Sequence, residues 1–129
     1  MQPTTHEFKI TFTQGRELAQ WSFDGNLDAN CCKVYEDDKI HFVFEGPGDV
    51  AECVVLCGQM ASGLPASPFK EGNRINLKTS STVTAVNQKG AWGFSVAFTA
   101  RNDDATTSFY YVPDPEIEVS NHPGSDQLA

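Results

Sequence analysis

The chain is predicted to be all-β, a single antiparallel β-sandwich of about eight short strands over residues 1–129, on three observations. Apolar residues alternate with polar ones at period 2 almost throughout, and no segment has a helical period. The candidate strands are rich in Phe, Val, Ile and Thr, and clusters of Gly, Pro, Asn and Asp separate them at nearly regular spacing.

Taken in order, "HEFKITFT" puts Phe8, Ile10 and Phe12 on one face and Glu7, Lys9, Thr11 and Thr13 on the other. "ELAQWSF" repeats this with Ala19, Trp21 and Phe23, after a turn at "QGR", and "DGNLDAN" reads as a turn-rich loop. "KIHFVFEG" offers Ile40, Phe42 and Phe44 before "EGPGD" breaks the pattern. "VAECVVLCGQM" is the most continuous apolar run and predicts a central strand buried on both faces. The stretch 61–73, "ASGLPASPFKEGN", has no period and reads as a long connection. "RINLKTS" and "TVTAVNQ" are short and β-branched, "WGFSVAFTA" aligns Trp92, Phe94, Val96 and Phe98, and "SFYYV" returns after the turn "RNDDATT".

Composition restricts function. A chain of 129 residues with 40% apolar and 20% charged residues folds around a core without staples. A net charge of −8, with nine scattered Lys and Arg, speaks against a nucleic-acid partner. The start "MQPTTHEFKI" has no signal-peptide pattern, and no run of about 18 apolar residues occurs, so a cytoplasmic protein that does not enter a membrane is expected. There Cys31, Cys32, Cys53 and Cys57 are expected as reduced thiols.

Those cysteines do not make a metal set. On one strand Cys53 and Cys57 stand roughly 13 Å apart, too far to share a zinc ion, and vicinal Cys31 and Cys32 point to opposite faces; no cofactor is implied. His6, His41 and His122 keep no spacing to the thiols, although a Cys–His nucleophile pair can form in space alone. Trp21, Trp92, Tyr110 and Tyr111 suit either a sandwich core or, less readily, a sugar-stacking surface.

The distinctive feature is Pro113-Asp114-Pro115, which holds the only Asp-Pro bond. An aspartate carboxyl can attack its own carbonyl, close a cyclic anhydride and expel the proline nitrogen, and proximity favours that step over attack by water. Proline suits the leaving position because its tertiary amide deforms easily and has no N–H for the competing succinimide route. A second acid can protonate the departing nitrogen; Glu116 and Glu118 lie on the face opposite Ile117 and Val119, and Asp103 and Asp104 occupy the preceding turn. The alternative is architectural, a proline-flanked kink where one strand crosses between sheets.

Pro113-Asp114-Pro115-Glu116-Ile117 with Asn121-His122-Pro123 resembles the C-terminal signature of the DP-EP family, small bacterial β-sandwich domains. The resemblance covers about residues 94–123. It implies a self-assembling, autocatalytic aspartic-type endopeptidase that cuts its own Asp114–Pro115 bond, with segment 115–129 staying docked as a strand. Asp114, Pro115 and Glu116 would then carry the chemistry, and a lysine amine would capture the aspartate as a cross-link. The family lysine position falls on Gly93 or Trp92 here, which leaves Lys89 as the nearest amine. The "DP-x-I" tail also resembles, more distantly, bacterial inclusion-body proteins, which implies a non-catalytic domain that associates with itself. A homo-oligomer is implied by both.

Overall fold

Ten strands form two sheets in the computed structural model, which describes residues 2–59, 67–113 and 115–121. They are β1 (Thr5–Thr11), β2 (Gln20–Phe23), β3 (Cys32–Tyr35), β4 (Lys39–Glu45), β5 (Asp49–Gln59), β6 (Arg74–Asn76), β7 (Thr82–Thr84), β8 (Gly90–Arg101), β9 (Thr107–Val112) and β10 (Glu116–Ser120). One sheet runs β2-β1-β4-β7; the other runs β3-β10-β8-β5-β6, with β9 also paired to β8.

The all-β sandwich is as expected, but its pairing is mixed rather than purely antiparallel. β1 pairs with β4 in parallel, and so does β10 with β3. Both are pairings of strands distant in the chain, which a hairpin cannot join and local patterning does not report. The strand missing from the sequence reading is β3, whose Cys32-Lys33-Val34-Tyr35 alternates buried and exposed over only four residues.

The period-2 faces meet in one core. Phe8 and Ile10 of β1, Phe12 just beyond it and Phe42 of β4 face Trp92, Phe94, Val96 and Phe98 of β8, all buried. Rings bridge the two sheets at Phe8–Phe94 (5.4 Å), Phe12–Tyr110 (4.9 Å) and Phe44–Phe98 (4.9 Å). Tilted and edge-on pairs such as these add to the gain from burial.

Two expectations are corrected. β5 is buried on one face only: Cys53 and Val55 are inside, while Ala51, Glu52 and Leu56 are exposed. Its sheet has an uncovered outer surface, as antiparallel neighbours permit. In the long connection, the described part 67–73 does more than link. Phe69 is buried against Phe94 and bridges Ala85, and the Pro68 carbonyl accepts from the Val86 N–H. The tight corner between β4 and β5 requires Gly48, which has φ +80°; a Cβ there would lie 2.3 Å from the Arg101 carbonyl oxygen.

Candidate functional site

Asp114 itself lies outside the described residues, so the geometry is that of its flanks. β9 and β10 run in line along the same edge of β8: Val112 pairs with Val96, and Glu116 pairs with Gly93. Between these two pairings the chain takes four steps and β8 takes three. One extra residue in one strand is the register of a β-bulge. Both strands stay in one sheet, so this segment does not cross between sheets. Pro115 is buried, and its carbonyl accepts from the Phe94 N–H at 2.9 Å. Lacking an N–H, Pro115 leaves no ladder donor unmatched at this point.

Beyond the junction β10 is held on both edges, by β8 and by β3, and Ile117 and Val119 are fully buried. Glu116 and Glu118 point outward, as their alternation predicts. Gly93, directly across from Glu116, has open space where a Cβ would stand. Of the two positions that the resemblance assigns to a lysine, Gly93 thus lies across the ladder from Glu116 and Trp92 across from Ile117.

The structure does not bring Lys89 there. It precedes Gly90, which pairs with Val119, so it sits at the far end of β10. Phe94 is five positions further on, roughly 16 Å along an extended strand and beyond the span of a lysine stem. Asp103 and Asp104 are also remote, in the turn at the opposite end of β9 from Pro113. The side-chain and backbone bonds of Thr106 hold the Asp104 carboxyl below its ordinary range, which suits an acceptor and not a general acid.

The thiols are kept protonated. Burial raises all four, Cys57 to about 11, and Glu118 and Glu116 push Cys31 up further. None is poised as a nucleophile. Among the described residues no group of three His, Cys, Asp or Glu side chains gathers as metal ligands. Of the candidate sugar-stacking rings, Trp92 and Tyr110 are core and present no face to solvent.

What spacing did not reveal is an Asp–His–Asp cluster at the opposite corner. His6 on β1 lies between Asp24, at 2.7 Å from Nδ1, and Asp38, at 2.8 Å from Nε2. Carboxylates only accept, so both ring nitrogens donate and the ring is an imidazolium. Asp38 is 1% exposed and also accepts from the backbone N–H groups of Thr4 and Tyr35. Burial opposes both charges, yet the hydrogen bonds prevail: His6 is raised and Asp38 is lowered. Asp24 accepts from the Glu7 N–H, and Phe23 stacks on the imidazole at 5.2 Å. The cluster ties β1 to the β2–β3 and β3–β4 turns. "YEDDK" was its one local sign, three consecutive acids between two strands.

No family model matches the chain, and no curated protein matches it. Among the described residues no helix is long and apolar enough to cross a membrane.

Proposed function

We propose that the chain is a self-cleaving β-sandwich domain that cuts its own Asp114–Pro115 bond without a cofactor. The observation that carries this reading is the single strand β8, which holds Val112 on one side of the bond and Pro115–Val119 on the other. A bond flanked by two anchored segments has a restricted geometry, and restriction is what intramolecular attack needs.

In this mechanism the Asp114 carboxylate attacks its own backbone carbonyl carbon. The bond to the Pro115 nitrogen breaks as that nitrogen takes a proton, from Glu116 directly or through water. The cyclic anhydride then adds one water molecule, giving chain 1–114 and peptide 115–129. The peptide stays docked because Ile117 and Val119 remain in the core and β3 and β8 keep their ladders. Lys89 has no part in the step.

Intact-mass spectrometry of fresh protein, and again after days at mildly acidic pH, tests the proposal. Fragments ending at Asp114, absent in Asp114→Asn and Pro115→Ala, are expected. One unchanged full-length mass overturns it. Gly93→Lys sharpens the test, since it sets an amine across from Glu116: the expected product is a 1–114 fragment one water lighter, from an amide formed with the aspartate.

A second reading is favoured by the burial of Ile117 and Val119: the tail is architecture, and the domain is non-catalytic and associates with itself. Size-exclusion chromatography at several concentrations, combined with an unchanged mass, would support it.

A further inference from the structure

The outer face of the larger sheet carries a groove that the Asp-Pro chemistry does not use. Its floor is β8, where the outward residues Ala97 and Thr99 are small. One wall is Phe109 on β9, paired with Thr99. The other is Val54 on β5 with Arg74 and Asn76 on β6. The volume, about 430 Å³, is that of a small-ligand site.

Three features give this groove a chemical preference. Phe109 is 53% exposed, with its ring 6.1 Å from that of Tyr111, so an apolar aromatic surface stands in water. Arg74 has no acidic partner among the described residues, in a chain of net charge −8. Neighbouring polar groups are oriented: Asn76 Oδ1 accepts from the Lys78 N–H at 2.9 Å, which directs its NH₂ elsewhere, and Lys78 Nζ donates to the Val50 carbonyl at 3.1 Å.

We propose that this groove binds an acidic saccharide. Arg74 would pair with the carboxylate through its planar fork, and Phe109 would take the C–H face of a pyranose ring. Asn76, Lys78 and Glu52 supply donors and an acceptor for hydroxyl groups. Two cations beside one acid are too few for a polyphosphate or nucleic-acid backbone. They match one carboxylate per sugar unit. The site is separate from Asp114, and none of the earlier sugar-stacking candidates lines it.

The test is calorimetric titration of the full chain with tetragalacturonate, a hyaluronan tetrasaccharide and an alginate tetramer, with maltotetraose as the neutral comparison. Saturable binding of at least one acidic probe is expected, at least tenfold weaker in Arg74→Ala and in Phe109→Ala, with both variants melting within a few degrees of the parent. Failure of all three acidic probes overturns the proposal, as does equal binding of maltotetraose or affinity that Arg74→Ala leaves unchanged. A concentration-dependent dimer that Phe109→Ala dissolves, without saccharide binding, overturns it in favour of a second copy on this face.

Discussion

The His6 corner and the Pro113–Pro115 junction both tie distant parts of the chain together, by opposite means. At the corner, charge does the work: one imidazolium joins two carboxylates, and Asp38 gathers three donors from three segments, β1, its N-terminal flank and the β3 end. At the junction, ladder and packing do it, through a carbonyl bond to Phe94 and two fully buried aliphatic side chains. The difference separates a connection that pH can weaken from one that it leaves alone.

Removing Asp38 should have the largest effect. Asp38→Ala strands the partly buried His6 charge and two backbone donors, and loss of one member of a buried pair costs about 4 kcal/mol. Urea unfolding should show this as a lower midpoint at unchanged slope. Ile117→Ala is expected to cost about 3 kcal/mol, the loss for a large-to-small change at a fully buried site, and the same measurement checks it. A loss as small as that of a surface substitution would show that β10 is not part of the cooperative unit.

The pH profile distinguishes the two regions most directly. His6 is raised, so its contribution is full below about pH 6.5 and is lost as pH rises through the folded value. Asp38 is lowered, so its contribution is full above about pH 3.9 and is lost as pH falls through its folded value. Stability from the corner should therefore peak between about pH 4 and pH 6.5. Thermal melts across pH should lose the alkaline decline in His6→Gln and keep it in Ile117→Ala.

The smallest effect is expected at Gly93. Its outward position is open, so Gly93→Ala should change stability by less than about 0.5 kcal/mol. A larger loss in the same urea titration would mean that this row of the ladder is more crowded than its register indicates.

Much of the fold was legible in the residues. Phe8-Ile10-Phe12 and Trp92-Phe94-Val96-Phe98 declare their inward faces because side chains alternate across any extended strand. The outward placement of Glu116 and Glu118 followed from the same rule. β5 misled because Val54 and Leu56 are apolar but lie on the outer face, where Val54 borders a groove and Leu56 is exposed, with no second layer over them. The Asp-Pro bond could be picked out by its chemistry alone, whereas Lys89 could not be placed until β8 and β10 were in register.

Which side chains share a face and where the chain turns can be read along the residues, since both depend on neighbours a few positions apart. Long-range folding is what sets β1 parallel to β4 and β10 parallel to β3, seats His6 between Asp24 and Asp38, and lines up β9 and β10 along one strand. These are contacts between segments far apart in the chain. Local periodicity carries no record of which distant partner closes each ladder or which charge meets which.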